Sequence, residues 1–73
     1  MLQYLTLEGI VRRNHQFQTK VITFCVNHTP EGTFYFTRSD AGNIHSYPSQ
    51  EDLDYKARYL IDLGYTPSPY VSV

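Results

Sequence analysis

Three histidines and one cysteine are the residues whose chemistry could define a catalytic or metal site. They are His15, His28, His45 and Cys25. Zinc needs three or four ligands that converge at about 2.0–2.3 Å, and no pair of these residues has a known metal-ligand spacing. Cys25 and His28 are separated by an odd number of positions, so an unbroken strand would send their side chains to opposite faces. We therefore predict no metal site, and we expect Cys25 to pack as a small apolar side chain.

Two carboxylate–histidine pairs are the candidates for acid–base catalysis. They are Asp40 with His45 and Glu31 with His28, and each pair lies near a predicted turn. Neither pair comes with a cleft, and a domain this small rarely encloses a pocket of the usual ligand size. The sequence has neither a glycine-rich phosphate loop nor a Gly-x-Ser-x-Gly turn. We expect a chain that is not an enzyme and that binds no cofactor.

A basic cluster surrounds the first predicted turn. It contains Arg12, Arg13, His15 and Lys20. Aromatic side chains on neighbouring strands could stack bases beside it, as in RNA binders that use a sheet surface. The aromatic-basic-aromatic motif of such surfaces is absent. The alternatives are a solvated hairpin tip and a nucleic-acid-binding regulator that uses the Arg12–Lys20 hairpin.

Tyrosine is the more unusual feature, because the chain has seven tyrosines and no tryptophan. Tyr55 and Tyr59 are four residues apart on a predicted helix and point away from its apolar stripe. Arg58 and Asp62 flank them. Tyrosine and arginine are enriched in protein–protein interfaces, since they bring large contact area at low entropic cost. The pair therefore forms a candidate interface, unless its rings lean over the sheet edge or the tail.

The helix that carries these tyrosines has clear signals at both ends. Ser49 is a natural N-cap, and Asp52 completes a capping-box pattern three residues later. Gly64 is expected to stop the helix in the left-handed conformation, and Pro67 prevents its continuation. The apolar residues that share one stripe at helical spacing are Leu53, Ala57, Leu60 and Ile61.

The rest of the chain has the alternation and turn residues of β-strands. Turns are predicted at Asn14-His15, at Thr29 to Gly32 and at Asp40 to Gly42. Gly9 falls inside a strand, which indicates a bulge or a close approach of another group to the backbone. The predicted elements are strands at about 2–13, 17–28, 33–38 and 43–47, a helix at about 50–63 and an extended tail at 66–73. The fold class is α+β, an antiparallel three- to four-stranded meander with one amphipathic helix packed on one face.

One sheet face and the helix stripe should form the core. Its expected members are Leu5, Leu7, Val11, Ile22, Phe24, Val26, Phe34, Phe36, Ile44, Leu53, Ala57, Leu60 and Ile61. The second face would carry Phe17, Val21, Thr23, Cys25 and Tyr35, with Tyr4 and Ile10 beside them. That face is more apolar than a solvated one usually is. The tail, a second copy or a different protein could cover it, and we expect a homodimer, because so small a monomer would be marginally stable.

Composition limits the class of protein. The chain has 73 residues, of which 41% are hydrophobic, 15% aromatic and 18% charged, so we expect a single folded domain. No apolar run is long enough to span a membrane, and the amino terminus does not resemble a signal peptide. With one cysteine, a cytoplasmic setting is expected. The formal net charge of −1 is unlike that of a general nucleic-acid binder.

These observations favour a small non-enzymatic protein-binding module. It would be an adaptor or inhibitor that acts sterically, in the manner of phage or mobile-element accessory proteins that inhibit host or defence machinery. The alternatives are the nucleic-acid-binding regulator and a structural small subunit of a larger assembly. The expected protein-interface residues are Tyr55, Tyr59, Arg58, Asp62, Tyr35, Val21 and Phe17.

Overall fold

Five antiparallel strands and one helix make up the described part of the chain. The computed structural model describes residues 2–68. The elements are β1 (Leu2–Arg13), β2 (Gln16–Thr29), β3 (Gly32–Ser39), β4 (Ile44–Tyr47), α1 (Gln50–Asp62) and β5 (Thr66–Pro67). The strands lie in the order β4-β3-β2-β1-β5. The predicted α+β meander is confirmed, and the first tail residues add a short fifth strand to their own sheet. The tail residues 69–73 lie outside the described residues.

The hairpin turns follow from residues that tolerate positive φ. Asn14 and His15 have φ of 52° and 63°, as a two-residue type I′ turn requires. Such turns match the right-handed twist of the flanking strands, so β1 and β2 pair without interruption from Leu5↔Phe24 to the turn. Gly42, with φ of 88°, closes the β3–β4 turn. Its N–H donates to the Ser39 carbonyl oxygen at 3.0 Å.

Helix α1 has the predicted caps. The Ser49 hydroxyl oxygen accepts from the Asp52 backbone N–H at 3.2 Å and donates to the Asp52 carboxylate at 2.9 Å. At the other end, Gly64 has φ of 107°. The Tyr65 N–H then donates to the Leu60 carbonyl oxygen at 3.0 Å, which is the long bond of a Schellman motif. Both ends of the helix are therefore fixed by its own sequence.

Tyr65 connects the end of α1 to β1. Its ring lies over Gly9, and a Cβ at that position would be 2.7 Å from the ring. The predicted close approach at Gly9 is therefore an aromatic ring packed on bare backbone. Tyr65 also packs against the hydrophobic core. This contact holds the carboxyl end of α1 at the level of Gly9.

The core lies between α1 and one face of β1, β2 and β3. It contains Leu7, Ile22, Phe24, Val26, Leu53, Ala57 and Leu60, with Leu5, Tyr35, Tyr47 and Tyr65 partly buried around it. Leu7, Phe24 and Leu53 have no exposed surface. Removal of these side chains from water is the main term that stabilises the helix on the sheet.

The predicted phase of β3 is wrong. Tyr35 pairs with Val26 and Thr37 pairs with Phe24, so Tyr35 and Thr37 face the helix. Phe34 and Phe36 consequently lie on the opposite face, where Phe34 is 53% exposed. All three consecutive residues of the Phe-Tyr-Phe run are aromatic, so alternation alone could not decide which face is inside.

Three other expected core residues also lie outside the core. Ile44 pairs with Arg38 on the face away from α1 and is 61% exposed. Ile61 is 48% exposed, because the stripe from Leu53 to Leu60 already fills the contact with the sheet. Val11 is half-buried and lies in the part of the β1–β2 hairpin beyond the core.

Tyr4 is on the helix side rather than on the second face. The β1–β2 register shifts between Gln3 and Leu5, and this irregularity reverses the direction of Tyr4. Its hydroxyl donates to Asp54 Oδ1 at 3.3 Å and accepts from Gln50 Nε2 at 3.2 Å. Burial is the main reason that the pKa of Tyr4 is raised above its ordinary value. The contact fixes the first turn of α1 against β1.

Candidate functional site

Two surfaces stand out, and the first is the outer face of α1. Tyr55 and Tyr59 are 74% and 50% exposed, as their helical spacing predicts. Leu53, Ala57 and Leu60 face the sheet, so the two tyrosines lie one turn apart on the outer side of the helix. Neither ring is buried against the sheet edge.

These tyrosines line a shallow depression of about 530 Å³ between the end of β4 and the first turns of α1. We call it the tyrosine depression, and its lining residues are Tyr47, Pro48, Asp52, Tyr55, Lys56 and Tyr59. Tyr47 is the last residue of β4 and packs against the core. Tyr47 in the lining of the depression is therefore held in place by its packing against the core.

The charges around the tyrosine depression are held by short-range contacts. Lys56 Nζ lies 5.0 Å from the centre of the Tyr59 ring, a cation–π contact. The Asp52 carboxylate accepts from the Ser49 hydroxyl at 2.9 Å. α1 as a whole carries four carboxylates and two basic residues, but only Asp52 and Lys56 among them line the depression, so its lining has one charge of each sign. The four are Glu51, Asp52, Asp54 and Asp62, and the two are Lys56 and Arg58.

The expected interface residues do not form one surface. Arg58 and Asp62 are exposed on α1 but do not line the tyrosine depression. Val21 and Phe17 lie on the sheet face away from α1, as expected. Tyr35 was expected on that face as well, and this is wrong, because its pairing with Val26 turns it toward the helix.

Sequence reasoning missed Tyr47, Pro48 and Lys56. The local signal was an aromatic residue and a proline directly before the N-cap, which places both beside the first turn of the following helix. Lys56 lies between the two tyrosines in sequence, and its ammonium group lies over the Tyr59 ring. The β4–α1 connection brings these residues together, because it places the end of β4 beside the first turns of α1.

The second surface is the end of the β1–β2 hairpin. Within the described residues, β5 pairs with β1 only at Leu7 and Glu8, and β3 pairs with β2 only from Ile22 onward. We call residues 10–19, beyond those contacts, the hairpin arm. Its basic members Arg12 and Arg13 are exposed, and so is His15 in the turn; Lys20 at the base is half-buried. The Arg12 Nη2 atom lies 3.3 Å from His15 Nδ1.

Cys25 is buried, whereas His15, His28 and His45 are exposed. Cys25 is fully buried, and burial raises the pKa of its thiol, which disfavours the reactive thiolate. Its Sγ lies 3.9 Å from the Thr23 carbonyl oxygen. A hydrogen bond joins His28 Nδ1 and Thr33 Oγ1 at 3.0 Å. Across residues 2–68, the His, Cys, Asp and Glu side chains form no group of three or more that could hold a metal ion.

Within residues 2–68, no helical segment has the length and apolarity that crossing a bilayer demands.

Comparison with known proteins adds nothing to this geometry. A scan against protein-family models, a search of curated proteins and a search of solved structures find no match for this chain.

Proposed function

We propose that this chain is a non-enzymatic protein-binding module, and that the outer face of α1, centred on the tyrosine depression, is its contact surface. The observation that supports the proposal is the exposure of Tyr55 and Tyr59 beside Tyr47 and Pro48. Aromatic rings at the surface of a small domain are apolar area left in water. Contiguous area of that kind is typical of interaction sites.

The two exposed tyrosine rings provide apolar contact area for the centre of an interface. A tyrosine buries about 150–250 Å² when fully covered, so the exposed fractions of Tyr55 and Tyr59 leave roughly 250 Å² for a partner. Central aromatic residues of an interface typically contribute about 2 kcal/mol or more each when truncated. Two such residues could supply a substantial part of a micromolar affinity.

The helix that carries this surface is anchored to the rest of the fold. Leu53, Ala57 and Leu60 anchor α1 to the sheet, and Tyr47 is fixed by the core beneath the depression. The Ser49 cap and the Gly64 turn fix the two helix ends. A pre-formed surface loses little conformational entropy on binding, which favours affinity.

The charge pattern defines the kind of partner. The tyrosine depression is lined by aromatic rings with one carboxylate and one ammonium group, so the complementary surface is an apolar patch with a cation opposite Asp52 and an anion opposite Lys56. The module would act sterically, by blocking such a surface or by bridging it to another protein. This is the mode of action of an adaptor or inhibitor, including those that phages and mobile elements direct at host or defence machinery.

The test uses two matched double variants. Tyr55→Ser with Tyr59→Ser removes the proposed contact, and Phe17→Ser with Phe34→Ser removes two exposed aromatic residues from the opposite face. A tagged wild-type chain first captures its partner from nuclease-treated lysate of its source cells. The purified partner is then titrated against all three proteins, after circular dichroism has shown that each is folded.

The proposal predicts that the tyrosine variant weakens binding by about 30-fold or more, the factor for 2 kcal/mol, whereas the phenylalanine variant binds like wild type. Equal weakening by both variants would contradict it, and so would unchanged binding by the tyrosine variant. Failure to recover any protein other than the chain itself would also count against it.

A further inference from the structure

The hairpin arm extends beyond the paired part of the sheet as a two-stranded ribbon. Beyond the Gly9↔Lys20 pair, four further residue pairs run from Ile10↔Thr19 to Arg13↔Gln16. Four residues of strand extend by about 13 Å. Residues 12–19 are all exposed, and the described strands leave both edges of the arm unpaired. The molecule is accordingly elongated, at 45 × 24 × 22 Å.

Positive charge is concentrated on this arm and its base, although the whole chain has a net charge of −1. Residues 9–30 contain Arg12, Arg13 and Lys20 but no aspartate or glutamate. The carboxylates of the first turns of α1 lie at the other end of β1, where Asp54 meets Tyr4. The arm and the carboxylates of the first turns of α1 therefore lie at opposite ends of β1.

Three carboxylates lie near the base of the arm. Glu8 accepts a hydrogen bond from the Ser68 hydroxyl at 3.2 Å. Asp40 lines a depression of about 230 Å³ together with Arg13 and Lys20. Asp62 ends α1, next to the turn that leads to Tyr65. None of the three lies among residues 10–19, and the one whose depression reaches the arm is Asp40, beside Arg13.

The two faces of the arm have different chemistry. Arg13 is paired with Gln16, and Gln18 follows on the same face. Arginine and glutamine are the side chains that donate to the major-groove edges of guanine and adenine. On the other face, Arg12 is paired with Phe17. Arg12 lies near the tip on this second face, and the half-buried Lys20 lies at the base on the Arg13 face; these two cations are the proposed contacts to backbone phosphates.

We propose that the hairpin arm binds double-stranded DNA by entering its major groove. That groove is about 12 Å wide and about 8.5 Å deep and admits a two-stranded ribbon. The arm is such a ribbon, and its length of about 13 Å exceeds the depth of the groove. The major groove of double-stranded RNA is too deep and narrow for side chains to read. The site does not overlap the tyrosine depression, so this DNA-binding proposal is independent of the proposed protein-binding function.

The test measures fluorescence anisotropy of a labelled duplex of about 20 base pairs, two turns of B-DNA, with the full chain. Salt is varied from about 50 to 200 mM. Arg12→Gln with Lys20→Gln removes the two proposed phosphate contacts. Arg38→Gln with Arg58→Gln removes the same charge from β3 and α1, outside both proposed sites, and is the matched control. Single-stranded DNA and duplex RNA of the same sequence are the competing ligands.

The arm proposal predicts a salt slope of about −1.8 for two phosphate contacts. The arm variant should bind about tenfold or more weakly at low salt with a flatter slope, while the control variant binds like wild type. Equal weakening by both variants would overturn the proposal, as would tighter binding to the single strand or to RNA. Absence of binding at about 100 μM, the weak limit of non-specific association, would overturn it as well.

Discussion

The contact between Tyr65 and Gly9 can be tested by adding one methyl group. In Gly9→Ala, the new Cβ would lie 2.7 Å from Cδ2 and Cε2 of the Tyr65 ring and 2.8 Å from Cδ1. Carbon atoms pack at about 3.5–4.0 Å, so the ring must move by roughly 0.8 Å or more. Gly9 is not among the residues with positive φ, and the substitution therefore adds no backbone strain. The ring contact is the only new cost.

The expected decrease in the free energy of unfolding is the difference between two opposing contributions. Overpacking of this kind typically costs about 1–3 kcal/mol. Replacing glycine by alanine also reduces the entropy of the unfolded chain, which stabilises the fold by about 0.4–1 kcal/mol. The free energy of unfolding should therefore fall by about 0.5–2 kcal/mol. For a domain of this size, each kcal/mol lowers Tm by about 4–8 °C.

A double-mutant cycle isolates the ring contact. Urea unfolding followed by far-UV circular dichroism gives the free energy of unfolding for wild type, Gly9→Ala, Tyr65→Ala and the double variant. In the Tyr65→Ala background the methyl group meets no ring, so Gly9→Ala should be neutral or slightly stabilising. The same destabilisation in both backgrounds would refute the reasoning and show that something other than Tyr65 requires glycine there.

Three further predictions concern the core, the helix cap and the buried thiol. Leu53→Ala should lower the free energy of unfolding by about 2–5 kcal/mol, whereas Ile61→Ala should lower it far less, and comparable losses in urea titrations would contradict the described burial. Ser49→Ala should cost about 1 kcal/mol through loss of the N-cap, and an unchanged urea midpoint would show that the cap contributes nothing. Burial raises the pKa of Cys25 above its ordinary value of 9.0, so the stability linked to its neutral thiol is fully present below pH 9.0 and lost as pH rises through the higher folded-state pKa. Ellman's reagent at about pH 8 should therefore label Cys25 only after urea unfolds the chain, and rapid labelling of the folded protein would contradict its burial.

Local chemistry made much of the fold predictable. The type I′ turn at Asn14-His15 and the two caps of α1 depend on residues that are adjacent in sequence. Each of these signals acts within a few residues, so no knowledge of the tertiary structure is needed to interpret it. The α+β class then follows from the order of the elements.

The face of β3 was not predictable in the same way. Phe34, Tyr35 and Phe36 present aromatic rings to both faces, so the sequence pattern has two equivalent phases. The choice is made by the β2–β3 register, which pairs Tyr35 with Val26. The direction of Tyr4 depends similarly on a register shift between β1 and β2 that its own segment does not signal.

The candidate sites likewise combine features that the sequence predicts with features that depend on the tertiary structure. Helical spacing placed Tyr55 and Tyr59 on the outer face, because that face follows from the apolar stripe alone. The tyrosine depression needed Tyr47, whose position depends on where β4 ends against α1. The basic cluster was visible in sequence, whereas its projection as an arm depends on where β3 and β5 stop pairing.

The measurement that tests the proposed function most directly is a map of the binding surface. Amide and tyrosine-ring NMR signals of the labelled chain would be followed while the captured partner is added. The protein-binding proposal predicts that the largest changes occur at Tyr47, Tyr55, Lys56 and Tyr59, with Phe17 unaffected. Changes confined to the sheet face away from α1, or to the hairpin arm, would contradict it.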